Sequence, residues 1–391
     1  MDYLVNNSVT EYTCKYTMSS SAKSVDSLLF YERHQFIITE PWLAIPCIII
    51  LLIASVAGTF GNILTLVVIA TKTRQRNAET IFIANLAISD LYVTTLAQPM
   101  SIVAKVEGEE FFESVPKLCQ AIASMCTISC VTSLMTIGLM SLNRYIYICV
   151  NKHYEHIFTK KKCILMCMSV YFVGILLVSL NGAEIGDHGY DRKSIECIWD
   201  RMATYPYTIV FSIALVWIPS FIIGCCYFKI FLYVTSHNKR MREQQILGEN
   251  KNNMKSFRLA KTLFIIYAVF FTCWAPYALL IVLDSNDDFP YESHLIITLF
   301  AHLHPSVNWI IYYFTNKRFA TSYMEVLLQV KLCILCKGKY VTDGQYGSKE
   351  YITDGSSFPT SRRLKNVIKY QNNTETKDSG IAISSVNTTT C

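Results

Sequence analysis

Residues 119–142, CQAIASMCTISCVTSLMTIGLMSL, run for 24 positions without a charged side chain and then meet Asn143-Arg144-Tyr145. A bilayer core about 30 Å thick takes roughly 20 helical residues to cross, so this stretch is long enough to span one. Six others share its character: Trp42–Ala70, Ile81–Ala104, Cys163–Gly182, Tyr205–Phe228, Thr262–Leu283 and His294–Phe314. Asp90 is the one fully charged side chain among all seven. The runs are continuous rather than alternating in segments of about ten, which excludes a β-barrel. Composition agrees: of 391 residues, 52% are hydrophobic and 16% charged, against about 25% charged in an average soluble domain. Mean hydropathy is +0.31. A disordered, collagen-like or coiled-coil chain is excluded on the same grounds. The expected fold is an all-α membrane protein, a seven-transmembrane helix bundle.

Loop charge orients the spans. The connections 71–80, 151–162 and 235–261 carry fourteen Lys and Arg against four acids, Glu79 among them. The opposite set, 105–118, 183–204 and 284–293, carries five bases, including Lys105 and Arg201, against thirteen acids. The basic side is cytoplasmic, so a plasma-membrane protein of this kind has its N-terminus outside and its C-terminus inside. Segment 1–41 is then extracellular, with a glycosylation acceptor at Asn6. It lacks a signal-peptide pattern, so the first span is expected to serve as its own uncleaved signal. The spans occupy 42–314. In 315–336, Phe319, Tyr323, Val326, Leu327 and Val330 recur at helical spacing among Lys317, Arg318 and Lys331, which predicts a short amphipathic helix on the inner leaflet. Cys333 and Cys336 are either palmitoylation sites or ordinary reduced thiols. Segment 337–391 is polar and rich in Ser and Thr and is expected to be a disordered cytoplasmic tail.

A carboxylate within a span is expensive and needs partners. Asn62, Ser133 and Asn308 offer oxygens or amides at the depth of Asp90, enough either to hold a small cation such as Na⁺ or to glue helices by hydrogen bonds. Pro99, Pro219, Pro276 and Pro305 loosen the second, fifth, sixth and seventh spans. Cys119 and Cys197 lie on the outer side, where an oxidising environment favours a bridge between them, leaving Cys14 over. No Cys/His metal spacing, His-Glu-x-x-His or Walker sequence occurs. His302 and His304 read as buried neutral side chains, since positions two apart do not share a helix face. Arg144 alone would be a positive-inside anchor.

Arg144 does not stand alone. Gly61-Asn62, Leu86-Ala87-Ile88-Ser89-Asp90, Cys119 twenty-five residues before Arg144, Pro219 eight before Tyr227, Phe270-x-x-Cys273-Trp274-Ala275-Pro276 and Asn308-x-x-x-Tyr312 keep register along about residues 42–330. The set resembles a rhodopsin-like (class A) G-protein-coupled receptor. That resemblance implies a switch in which Asn143, Arg144 and Tyr145 meet a Gα subunit, Tyr227 and Tyr312 swing in to support Arg144, and Phe270, Trp274 and Pro276 couple ligand to sixth-helix movement. It implies a sodium pocket of Asn62, Asp90, Ser133 and Asn308, an allosteric Na⁺ and no other cofactor, and a Cys119–Cys197 bridge pinning the second outer loop over the ligand.

Departures from the pattern are informative. Asn143 replaces the usual acid, and no acid lies between Met254 and Lys261 to pair with Arg144. The expectation is appreciable ligand-free activity. Trp309 replaces the usual proline of the seventh span, with Pro305 one turn earlier, and Tyr171 stands near the place of the fourth-span Trp. Asn143-Arg144-Tyr145-Ile146-Tyr147-Ile148-Cys149 is similar to the melatonin-receptor branch and its invertebrate orphan relatives. Asn181 falls at a ligand-contacting Asn of that branch, but Leu215 replaces its fifth-span His and Arg201 lies near its second-loop Gln, which argues against melatonin itself.

By the same resemblance the ligand pocket comprises Cys126, Thr127, Cys130, Asn181, Phe211, Leu215, Trp274, Tyr277, Ile281, Thr298 and His302. With Cys126 where amine receptors carry an acid, and no acid in the upper half of any span, the expected ligand is small and neutral or lipid-like. A basic peptide drawn by the acidic outer loops is the alternative within this fold. A secondary transporter is the rival class, but it calls for internal repeats that are absent here, and no clustered His, Asp or Glu suggests an enzyme. The implied partners are an extracellular ligand, a heterotrimeric G protein, arrestin and receptor kinases acting on the tail, and membrane lipids, with no nucleic acid.

Overall fold

The structure, a computed structural model, describes residues 36–72, 78–180, 185–243 and 250–342. Among these, seven helices are long and apolar enough to cross a membrane: α1 Pro41–Thr71, α2 Ala78–Glu107, α3 Pro116–Val150, α4 Lys160–Ser179, α5 Tyr205–Ser236, α6 Ala260–Leu283 and α7 Tyr291–Thr315. Helix α8 follows at Lys317–Thr342. Between α4 and α5 lies an antiparallel hairpin, β1 Asp187–Asp191 and β2 Glu196–Asp200, with Tyr190 opposite Cys197. The described residues up to Leu332 form one compact unit.

The apolar faces sort by partner. Leu64, Phe82, Ile137, Met140, Ile223, Leu263, Ile266 and Phe270 make one continuous core through the inner half of the bundle. Leu165, Phe172, Phe221 and Phe228 face outward, as lipid-facing side chains do. The α8 face expected from spacing is there: Phe319, Tyr323 and Val326 are buried, and Tyr323 Oη and Thr65 Oγ1 are 2.8 Å apart. Val330 is exposed instead.

The prolines act in three ways. Before Pro99 the N–H of Gln98 reaches back five residues to Val93 O, and before Pro219 the N–H of Ile218 does the same to Ile213 O. Each is a π-helical turn that accommodates the proline ring without breaking the span. Pro305 instead begins a new helix: α7 stops at Ala301 and restarts at His304, where a missing N–H costs nothing. Pro276 lies within an uninterrupted α6.

Trp309 has its own structural account. A Cβ on Gly61 would lie 1.9 Å from Trp309 Cδ1, so the indole fills the space that a bare glycine leaves on α1, edge-on to Phe60 at 6.0 Å.

The outer end of α2 needs correction. Lys105, assigned above to an outer loop, is the third residue from the end of α2 and is fully buried. The first outer connection is correspondingly shorter.

Candidate functional site

Polar clusters lie at three levels of the bundle, outer, middle and inner, and each joins residues well separated in the chain. At the outer end the disulfide Cys119–Cys197 ties β2 to the first turn of α3, with Cα atoms 5.2 Å apart. This places the neighbouring Glu196 inside the bundle, 3% exposed. Its Oε2 accepts from Ser101 Oγ at 2.5 Å and lies 3.8 Å from Lys105 Nζ and 3.6 Å from His302 Nδ1. Lys105 also donates to Ser101 Oγ at 2.9 Å and to Ile195 O at 3.2 Å. Glu196 Oε1 is buried with no partner. A carboxylate from the second outer loop therefore stands beside His302, one of the residues expected to line the ligand pocket, although no acid lies in the upper half of any span. Reading span by span misses it because the acid arrives from the loop. The legible signal was its position beside a bridging cysteine.

Of the expected pocket residues, His302 meets this ion pair, and the others lie in neighbouring contacts. Cys126 Sγ approaches His302 Nε2 at 3.9 Å, and Cys130 packs beside Cys126 against Val93 and Ala97. Thr127 Oγ1 and His188 Nε2 of β1 are 2.9 Å apart, and Thr298 Oγ1 and Ser194 Oγ 3.2 Å. Burial lowers the pKa of His188 to about 4, against a smaller upward pull from Asp187; the imidazole is neutral at physiological pH. Phe211, Trp274, Tyr277 and Ile281 share an aromatic cluster with Trp199, whose ring centroid is 4.2 Å from that of Phe211. Leu215 is half-buried in the π-helical turn of α5. Asn181, Asn6 and Cys14 lie outside the described residues. Cys333 and Cys336 fall within α8.

A second outer tie joins the hairpin loop to α6 and α7. Lys193 Nζ is 2.7 Å from Asp287 Oδ1 and 3.6 Å from Asp284 Oδ2, Arg201 pairs with both aspartates, and His294 Nε2 is 2.8 Å from Asp284 Oδ2. Asp284, Asp287 and His294 are close enough to share a metal ion, but two cationic side chains already meet the charge of both carboxylates. Arg201 is committed here.

In the middle of the bundle Asp90 is fully buried. It accepts from Ser133 Oγ at 3.1 Å and from Asn308 Nδ2 at 2.6 Å. Asn62 is not part of this set; its Nδ2 donates to Pro305 O at 3.0 Å. In its stead His304 brings Nε2 to 3.6 Å from Asp90 Oδ1, while its Nδ1 takes a 2.9 Å hydrogen bond from Trp274 Nε1. Phe270 lies edge-on to the His304 ring at 4.8 Å. The two histidines do face different partners. His304 was legible as a site residue: it precedes Asn308 by four, the spacing that shares a helix face.

At the inner end Arg144 is 5% exposed. It donates to Asn143 Oδ1 at 2.8 Å and pairs with Glu79 Oε2 at 3.2 Å, its guanidinium 5.4 Å from the centre of the Tyr147 ring. Asn143 in turn donates to Tyr154 Oη at 3.2 Å. The expectation that Arg144 lacks a carboxylate partner is overturned. Glu79, counted above as a loop residue, sits in the first turn of α2 and supplies the charge that position 143 does not. Tyr227 and Tyr312 are buried with hydroxyls that have no partner, and Lys229 covers the Tyr145 ring at 5.7 Å.

Comparison with known proteins matches this arrangement. The chain matches the family described as 7 transmembrane receptor (rhodopsin family) over residues 61–312. It is 25% identical over 300 residues to melatonin receptor type 1A of Mus musculus, covering 75% of this chain and 82% of that one. It is likewise 25% identical over 299 residues to melatonin receptor type 1B of Homo sapiens, covering 74% and 80%. The crystal structure of squid rhodopsin superposes with a TM-score of 0.64 at 19% identity, covering 77% of this chain and 89% of that one.

Proposed function

The chain belongs to the rhodopsin family of seven-transmembrane receptors, related to the melatonin receptors, and from that premise we propose that it is a plasma-membrane G-protein-coupled receptor. Its N-terminus faces outward and its tail inward, by the loop charges. It takes a ligand at the outer cluster and engages a heterotrimeric G protein at the inner ends of α3, α5 and α6. The Ser- and Thr-rich tail is the substrate of receptor kinases and the dock for arrestin.

The observation that carries this reading is the inner latch. Arg144 is a buried cation tied to α2 through Glu79, with the unpartnered hydroxyls of Tyr227 and Tyr312 nearby in the same inner core. A guanidinium only donates, so two free tyrosine oxygens are the acceptors it would gain on leaving Glu79. Two arrangements of one side chain make a bistable element, and a ligand that favours one shifts the population.

The ligand proposed is small and neutral, with an aromatic or aliphatic body and at least one hydrogen-bond donor. Phe211, Trp274, Tyr277 and Ile281 supply apolar walls, and Glu196 Oε1 is a buried acceptor that lacks a donor. Lys105 already meets the Glu196 charge, so a neutral donor suits the site better than a second cation. The peptide reading loses ground because Asp284, Asp287 and Glu109 are paired with Lys193, Arg201 and Arg192. Leu215 and the commitment of Arg201 to the outer tie favour a ligand other than melatonin.

The test needs no ligand. Nucleotide exchange on a panel of Gα subunits is measured in membranes bearing the wild-type chain, Glu79→Gln, Arg144→Ala or both. Loss of a charge-assisted pair is worth about 1–3 kcal/mol, roughly 5- to 150-fold in the ratio of the two states. Glu79→Gln should raise exchange above wild type on at least one subunit, and Arg144→Ala should abolish the rise. Equal traces from all four chains on every subunit would refute the coupling.

A further inference from the structure

We infer that the intramembrane carboxylate of Asp90 takes its third partner from the chain itself, the imidazole of His304, and that this pocket is closed to sodium. Trp274 Nε1 can only donate, so at 2.9 Å the Nδ1 of His304 is the acceptor. An imidazole accepting at Nδ1 carries its proton on Nε2. The longer 3.4 Å approach of Nδ1 to Ala301 O is then a contact without a hydrogen. Nε2 accordingly points an N–H toward Asp90, whose Oδ1 is 3.6 Å away, an electrostatic contact beyond hydrogen-bond length, and no hydrogen-bond acceptor meets it.

A hard cation binds through a shell of oxygens. Here Ser133 and Asn308 already donate to the two oxygens of Asp90. The approach to Oδ1 that His304 fills meets the positive end of an N–H bond rather than an oxygen. Asn62, the other expected ligand, makes no hydrogen bond to Asp90, and its Nδ2 donates to Pro305 O on α7. His304 also stands between the carboxylate and Trp274, hydrogen-bonded to the indole and in electrostatic contact with Asp90, so side chains of α2, α6 and α7 meet here. The donor set present does not fit the sodium ion that the family resemblance implies.

The experiment reads folding, so it stands or falls independently of G-protein coupling. The full chain in detergent micelles is unfolded thermally in equimolar sodium chloride or choline chloride. The wild-type midpoint should be the same in both salts. His304→Asn replaces the N–H with a side chain offering an oxygen, and should gain a sodium-specific rise of a few degrees that Asp90→Asn in the same chain removes. His304→Gln offers the same oxygen should the Asn variant fail to fold. A sodium-specific rise in the wild type that Asp90→Asn abolishes would overturn the inference. So would indifference to sodium in folded His304→Asn and His304→Gln chains, since something other than His304 would then exclude the ion.

Discussion

A single buried charge is the most demanding residue in this protein, and Lys105 shows how the demand is met. Its ammonium is enclosed by Ser101 Oγ, Ile195 O and the Glu196 carboxylate. Removing one member of such a pair leaves the other charge stranded, which costs about 3–5 kcal/mol, whereas replacing both by apolar or neutral groups is often close to neutral. Lys105→Met should therefore lower the unfolding midpoint markedly, and Glu196→Gln in the same chain should recover most of the loss. A double variant no more stable than Lys105→Met would show that the two side chains do not act as a pair. Arg144 obeys the same rule at the other end of the bundle. Its acid is absent from position 143 but present at position 79, because a charge enclosed by protein has to be met by some neighbour in space, not by a particular one in sequence.

At the scale of the element, helices absorb irregular residues by changing register or by pairing small with large. The π-helical turns before Pro99 and Pro219 keep both spans continuous, whereas Pro305 opens a new helix. Gly61 and Trp309 are the clearest size pair, with no room for a methyl group between α1 and α7. Gly61→Ala should cost about 1–3 kcal/mol through overpacking. In a Trp309→Leu background the same alanine should cost less, the coupling being about 0.5–3 kcal/mol for residues in contact. Thermal or denaturant unfolding of the four chains measures it, and simple additivity would remove the pairing as the reason for a glycine here.

For the molecule as a whole, the β1–β2 hairpin, which forms the lid of the outer side, is held at three places, Lys193 before β2, Cys197 within it and Arg201 after it. The disulfide fixes β2 to α3, and Lys193 with Arg201 fixes the same loop to Asp284 and Asp287 between α6 and α7. Glu196 reaches the bundle interior because the lid is tied this way. Replacing both Cys119 and Cys197 with Ser should lower stability by about 2–5 kcal/mol. It should also expose Lys105 to amine-acylating reagents that leave it untouched in the wild type, as mass spectrometry of the labelled chain would show. A Lys105 equally protected in both chains would mean that the salt bridges alone hold the lid.

Hydrophobic run length and motif register by themselves determined the seven spans and the family. Each depends on residues near one another in the chain or on a pattern repeated along it, and burial in a bilayer constrains composition strongly enough to be read directly. Only the tertiary structure decided that Glu79 pairs with Arg144, that Glu196 enters the bundle beside Lys105, that Asn62 bonds Pro305 and not Asp90, and that His304 comes within 3.6 Å of Asp90. Those contacts join segments from 65 to more than 200 residues apart. An isolated charge or polar group announces that it needs a partner, but helix packing chooses which one comes within reach.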